Sequence, residues 1–458
     1  MASRTSTRKG KVEEVVPSAA RTIASLRDIG YDVPRAIADL VDNSIAAGAT
    51  EVEITLQFEG DQSWIRVADN GSGMDGETLL EAMRYGSDRD YDANDLGKFG
   101  FGMKTASTSQ CRRVTVASRR AAQNRRFEVR CLDLGHIEET NKWEVLVLEG
   151  AERGAHLLEP LQNHPGTVVL WEDLDRILDY NDPWGSWAER RMFSLAEEID
   201  EHLAMVFHRF LAGEVRGQRL RISVNGSKVR AWDPYCRDEP RTEELPAKDL
   251  RVAGSERFGF VRVRPFVLPP QAEFSNPTAW NRASGPAKWN RQQGLYIYRS
   301  NRLIQAGGGW NRLRTIDEHT KLARVAIDFF PDLDAAFGIN IAKAFVRLPT
   351  DLKDELKPLI DQVARRADQR YRSGEGRSRG TGGGSAGRQG TSGATRGSKA
   401  GSGNGSGASA VGNGSQPARA TREAIEEAAT LAGESGALRR IVKALKGQHP
   451  EVARDLGW

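Results

Sequence analysis

The sequence predicts an α/β chain, an α+β sandwich with helices on a mixed sheet followed by a second α+β domain, and three observations carry that prediction. Period-2 apolar runs, Val52, Ile54 and Leu56 and then 64–68, alternate along the chain with helical-period segments such as 35–49 and 187–214. At Asn225-Gly226, the strongest short hairpin signal in the sequence, a second set of strands begins. From 373 onward Gly, Ser and Thr with scattered arginines replace the apolar pattern, leaving too little apolar surface for a core.

Taken in order, residues 1–16 are polar and read as a flexible N-terminal arm, and 17–26 as a short helix. The next helix is well punctuated: Asp32 as N-cap, Pro34 in the first turn, Gly48 as the stop. Along it Ile37, Leu40, Val41 and Ser44 recur at core spacing, which puts Asp39, Asp42, Asn43 and Ala46 on the other side. Strands over 52–56 and 64–68 pair across a turn near Gly60, and 78–85 is helical. The polar stretch 86–96, rich in turn formers, suits a mobile lid ahead of a glycine-rich segment. Strands follow over 112–118, 125–131 and 143–148, and Leu195, Ile199, Leu203, Val206 and Phe210 mark a long helix that closes the first domain. A strand over 294–304 and a charged helix over 351–372 complete the second, and helical character returns over 420–445. The resulting division is an arm at 1–16, domains at 17–215 and 216–372, a linker at 373–419 expected to be disordered, and a small helical segment at 420–458 that reads either as a module for docking a protein partner or as a weakly amphipathic tail.

A formal net charge of +4 is compatible with nucleic-acid contact without requiring it. The basic and aromatic mixture over 280–314 has two readings, bases stacked on exposed rings or simply the two faces of a strand. Cys111, Cys131 and Cys236 stand far apart without a Cys-x-x-Cys pair, which argues against a disulfide framework or a four-cysteine zinc module and fits a reducing cytoplasm. No apolar run reaches transmembrane length and the first residues lack a signal-peptide core, so no membrane partner is expected.

Three motifs carry chemistry. Asp39 and Asn43, four apart on one helix, set a carboxylate beside a carboxamide, a pair able to orient water and offer oxygen to Mg²⁺. After the second strand comes Asp69, with Gly71 and Gly73 permitting close backbone approach to a ligand and Met74 following. Further on, Gly97, Gly100 and Gly102 precede a helix start with Lys104 just inside it, an arrangement that presents backbone N–H groups to phosphates and adds a mobile positive charge.

In this order the motifs resemble the Bergerat-fold ATP sites of the GHKL superfamily, which includes gyrase B subunits, the ninety-kilodalton heat-shock chaperones, MutL and MORC proteins. The likeness covers roughly 15–350 and is strongest to MORC-like bacterial proteins. It implies ATP and Mg²⁺ as cofactors, a Bergerat-fold ATP-binding domain at 17–215 and an S5-like transducer domain at 216–372. It implies Asp39 as the general base, Asn43 as the Mg²⁺ ligand, Asp69 as the reader of the adenine amino group, with Gly71 and Gly73 making room and Met74 beside the base. Gly97, Gly100, Gly102 and Lys104 correspond to phosphate contacts, and Thr167 to a residue that holds the adenine aspartate through water. In the second domain, 340–343 resembles the chaperone segment that sends a basic residue to the γ-phosphate. Lys343 is that candidate, the alternative being an exposed lysine in a domain-ending loop.

Two departures bear on hydrolysis. The superfamily's base is usually glutamate, and Asp39 is shorter by one methylene, which withdraws its carboxylate by about 1.5 Å. Ala46 stands where many relatives carry an acid, and Asp42 remains an alternative base. The implied function is a slowly ATP-hydrolysing clamp that dimerises with nucleotide, with DNA as one candidate substrate. The alternative is a catalytically weak, nucleotide-responsive scaffold or DNA-binding module in a bacterial restriction or defence system. A histidine kinase is disfavoured by the short run before residue 17, and gyrase-like strand passage by the length available for cleavage domains.

Overall fold

The computed structural model describes residues 15–28, 31–85, 102–120, 126–150, 154–254, 258–338 and 346–380, together with Val442 and Lys446. The chain divides into two units, Met1–Gly384 and Ser385–Trp458. The second contributes only Val442 and Lys446, both helical. The lid stretch 86–96, the linker beyond 380 and nearly all of 420–458 therefore lie outside the described residues.

The first part of unit one begins with α1 (Ala19–Arg27) and α2 (Val33–Ala46). As the sequence predicts, the Asp32 carboxylate accepts from the Arg35 N–H at 2.9 Å to cap α2, and Gly48 ends it with φ 72°. The strands are β1 (Glu51–Gln57), β2 (Trp64–Asp69), β3 (Arg113–Arg119), β4 (Glu128–Asp133), β5 (Leu146–Val147), β6 (Gly166–Glu172), β7 (Arg221–Val224) and β8 (Ser227–Lys228). They form one sheet in the order β5-β4-β3-β6-β2-β1-β7-β8. β1 runs parallel to β7 and antiparallel to β2, so the sheet is mixed and mostly antiparallel. Helices α3 (Gly76–Met83), α4 (Gly102–Thr108), α5 (Leu134–Thr140), α6 (Ala155–Leu158), α7 (Ser186–Val206) and α8 (His208–Leu211) complete this part.

Both faces of the sheet's centre are covered. Ile54, Ile65, Val67 and Val116 pack with Ile37 and Val41 of α2 and with Leu195, Ile199 and Leu203 of α7. Ala68, Ala117, Val168 and Leu170 point the other way, against Leu157 and Leu161. This explains why β2, β3 and β6 are buried almost throughout while burial alternates along β1. Each fully buried aliphatic side chain here contributes about 1.5–3 kcal/mol.

The second sheet comprises β9 (Glu243–Glu244), β10 (Lys248–Ala253), β11 (Phe258–Val267), β12 (Gly294–Arg299), β13 (Arg302–Ala306) and β14 (Ala323–Phe329), in the order β10-β11-β14-β12-β13 with β9 on β11. Short helices α9 (Pro277–Ala283), α10 (Lys288–Gln292) and α11 (Asp334–Phe337) lie between and after these strands, and α12 (Thr350–Gly380) runs on past 372. Leu352, Leu356, Ile360, Val363 and Ala367 of α12 cover one face of this sheet, meeting Val261, Val263, Leu295, Ile297 and Val325. Phe266, Tyr296, Tyr298 and Leu303 point to the other face and join the core built by α2 and α7. The α+β class expected from the sequence is the class observed.

One expectation needs correction, and one pair of open readings is narrowed. The strand over 294–304 is a hairpin of β12 and β13, turned at Ser300 and Asn301 with φ 47° and 70°. No glycine marks that turn, so its mirror-type geometry left no strong trace in the sequence. The aromatics of 280–314 are structural: Tyr296, Tyr298 and Trp310 are buried, and Trp280 stacks on Trp289 with ring centroids 3.8 Å apart. Those buried rings are not available to nucleobases.

Candidate functional site

Asp69 ends β2 and is the best-defined feature of the site. Its Oδ1 accepts from the Gly71 N–H at 2.9 Å and the Thr167 N–H at 3.2 Å, and its Oδ2 from the Ser44 hydroxyl at 3.0 Å. Burial pushes its carboxyl above the usual range, against those hydrogen bonds, which favour the charged form. Strand register makes the arrangement: Asp69 pairs with Thr167 across β2 and β6, and Thr167 with Ser118 across β6 and β3. The Ser118 hydroxyl donates to the Gly166 carbonyl at 2.9 Å, lies 3.1 Å from the Thr167 hydroxyl and accepts from the Met74 N–H at 2.8 Å. Thr167 thus meets Asp69 directly through its backbone. Ser44 and Ser118 were not singled out in the sequence, since one reads as a core position and the other matters only through register.

The glycines of the second motif are required by space. Gly73 has φ 65°, and a Cβ there would stand 2.0 Å from the Arg119 carbonyl oxygen. A Cβ on Gly71 would come within 2.9 Å of the Ala47 Cβ. The Ser72 N–H donates to the Ala47 carbonyl at 3.0 Å, docking the turn on the end of α2. Met74, half-buried, packs at the edge of the main core.

On α2 the polar residues divide differently from the expected face. Asn43 and Ala46 are exposed, whereas Asp39 and Asp42 are 4% and 0% exposed. The cause is Arg302 at the start of β13, whose Nε lies 3.1 and 2.9 Å from the two Asp42 oxygens and whose Nη2 is 3.6 Å from Asp39 Oδ1. Asp42 is fully buried and held by a guanidinium on both oxygens, as expected of a structural acid. The Tyr31 phenol sits beside Asp39, and burial first, then that negative charge, pushes its pKa up. Asp39 and Asn43 share α2 as expected, one beneath its surface and one on it.

Lys104 is also corrected. It is buried on α4, and its Nζ donates to the Ala82 and Arg84 carbonyls at 3.0 and 2.6 Å, at the C-terminal end of α3. A cation at a helix C-terminus satisfies carbonyls that have no partner within the helix. It is an anchor in this arrangement and no free phosphate contact. Burial lowers its pKa to about 8. Between pH 8 and 10 the unfolded chain then binds more protons at this lysine than the folded one, so folding stability rises with pH there. Relative to Lys104→Met, the native chain is expected to gain about 2 kcal/mol over that range. Urea unfolding at stepped pH checks this; parallel curves for the two proteins would contradict it.

Gly102 begins α4. Gly97, Gly100 and Lys343 lie outside the described residues. Among the described residues no group of three or more His, Cys, Asp or Glu is placed to hold a metal. No helix among them is long and apolar enough to cross a membrane.

The structure thus brings together a buried aspartate at a strand end, a glycine turn docked against it and a helix carrying a carboxylate and a carboxamide, the arrangement expected from the sequence motifs. Consistent with this, residues 31–164 match the family model described as "Histidine kinase-, DNA gyrase B-, and HSP90-like ATPase". Over that region the chain is similar to the GHKL ATPases that this model describes. It is similar to the DNA mismatch repair protein MutL of Salmonella arizonae, 29% identical over 217 residues that cover 46% of this chain and 30% of that protein. MutL of Xylella fastidiosa is 32% identical over 203 residues, 43% of this chain and 28% of the relative. MutL of Allorhizobium ampelinum is 32% identical over 139 residues, 30% and 19% respectively. The chain thus matches less than a third of the length of these relatives.

Proposed function

We propose that the chain binds ATP with Mg²⁺, hydrolyses it slowly and uses it to close a homodimeric clamp in the cytoplasm, as a MORC-like member of the superfamily. The observation that carries this reading is Asp69, a buried carboxylate fixed by Ser44, Gly71 and Thr167 at the mouth of a glycine turn. A fixed, buried acceptor is suited to select an exocyclic amino group, since a purine without one leaves it unsatisfied. Gly71 and Gly73 give the base room, Met74 lies beside it, and Asn43 offers an exposed amide oxygen to Mg²⁺, with the remaining ligands from water and phosphates. Asp39 accepts the proton of the attacking water, and Gly97, Gly100 and Gly102 supply N–H groups to the phosphates. Lys343 is proposed to reach the γ-phosphate from an S5-like second domain. Domain limits at 17–215 and 216–372, a DNA substrate and a partner for 420–458 belong to the same proposal.

A specific observation favours the second reading as well. Asp39 is both shortened and buried beside Arg302, which suits a nucleotide-responsive scaffold with little turnover, in a restriction or defence setting. Steady-state phosphate release compared with ATP affinity separates the two.

The clamp itself is tested by mass. Light scattering is expected to give a monomer without nucleotide and with ADP, and a doubled mass with a non-hydrolysable ATP analogue, because contact with the γ-phosphate distinguishes the two nucleotides. Lys343→Ala is expected to stay monomeric. One mass in all three conditions would contradict the clamp, and normal dimerisation of Lys343→Ala would leave that residue outside it.

A further inference from the structure

Arg302 belongs to the second sheet, yet its guanidinium ends against two carboxylates of α2. Its Nε contacts both oxygens of Asp42 at 3.1 and 2.9 Å, its Nη1 donates to the Leu303 carbonyl at 3.3 Å, and its Nη2 faces Asp39 at 3.6 Å. The Phe207 ring lies 6.0 Å from its centre. Arg302, Asp39 and Asp42 are all buried, at 5%, 4% and 0% exposure. His202 on α7, whose pKa is lowered to about 4 by burial and then by Arg302, is neutral at pH 7 and offers no competing charge.

A guanidinium is a planar fork, so fixing two of its nitrogens fixes the third. With Nε on Asp42 and Nη1 on a backbone carbonyl, the position of Nη2 against Asp39 is determined. The sheet that carries Arg302 is tied to α8 by a buried network: His208 Nε2 lies 2.9 Å from the Tyr298 hydroxyl, which accepts from the Tyr235 hydroxyl at 2.8 Å, and Arg209 pairs with Asp328. Displacing the second sheet from α7 and α8 would draw Arg302 out of α2.

We propose that Arg302 is a positioning residue that orients the Asp39 carboxylate through Asp42 and so makes the chemistry on α2 depend on the placement of the second sheet. This rests on the reading of Asp39 as the base. A displacement of about 1 Å at a reacting group is enough to cost up to 10²-fold in rate without removing the ligand from its site. Binding therefore survives what turnover does not.

The test compares the full native chain with Arg302→Met, Arg302→Lys, Asp42→Asn and the double variant Arg302→Met/Asp42→Asn. Three quantities are read: affinity for a fluorescent ATP analogue, single-turnover phosphate release, and hydrogen exchange over 33–46 without nucleotide. Arg302→Met is expected to lose at least about tenfold in release while affinity stays within about threefold, with partial recovery in Arg302→Lys. The double variant is expected to be no slower than Arg302→Met by more than about threefold, since both act through one contact. Exchange over 33–46 is expected to quicken in Arg302→Met. Release within threefold of native, or affinity falling in step with rate, overturns the proposal. If Arg302→Met does not fold, the same affinity and rate comparison on Arg302→Lys decides. If the native chain releases no phosphate, the base reading fails by itself, and unchanged exchange over 33–46 then overturns the tie between the sheet and α2.

Discussion

Asp39→Asn is expected to lower ATP hydrolysis by about 10²–10⁴-fold while nucleotide remains bound. The amide has the size of the carboxylate, so packing beneath α2 changes little. It cannot accept a proton from water, which removes the role proposed for this residue. The neighbourhood offers no ready substitute: Asp42 is engaged by Arg302 on both oxygens, and burial pushes the Tyr31 hydroxyl pKa upward. Phosphate release and equilibrium affinity, measured on the same preparation, check the prediction. An unchanged rate would take the base role away from Asp39, and an equal loss of affinity would make it a binding residue.

Asn43→Ala is expected to abolish Mg²⁺-dependent ATP binding. The side chain is exposed on α2, and alanine, the best helix former, preserves the helix while removing the only oxygen the residue offers. No group of three or more His, Cys, Asp or Glu among the described residues stands ready to replace it. Calorimetric titration with ATP in Mg²⁺ and in EDTA separates metal-dependent from metal-independent binding. Native affinity in the variant with Mg²⁺ present would remove Asn43 from the site.

What was legible in the sequence was local. The cap at Asp32, the stop at Gly48, the strands around Ile54 and Val67 and the turn from Asp69 to Gly73 each declare themselves within a few residues, and the structure has them where the pattern put them. What escaped depends on register or on distant chain. Ser118 joins the site only because β3, β6 and β2 align it with Thr167 and Asp69. Arg302, which buries two carboxylates expected on an open face, stands 260 residues from Asp42. The docking of Lys104 is not legible because a sequence shows a charge without showing what it docks against, here the end of the preceding helix. The pairing of Ser300 with Asn301 turns a strand into a hairpin without the usual glycine.

The central claim is that Asp69 anchors an adenine-selective nucleotide site, and competitive titration of ATP against GTP in Mg²⁺, on the native chain and on Asp69→Asn, tests it most directly. The account predicts tighter binding of ATP than GTP by the native chain and a loss of about 1–3 kcal/mol for ATP in Asp69→Asn, where the amide presents a donor where an acceptor is needed. Equal affinity for ATP and GTP, or ATP binding untouched by Asp69→Asn, would contradict it.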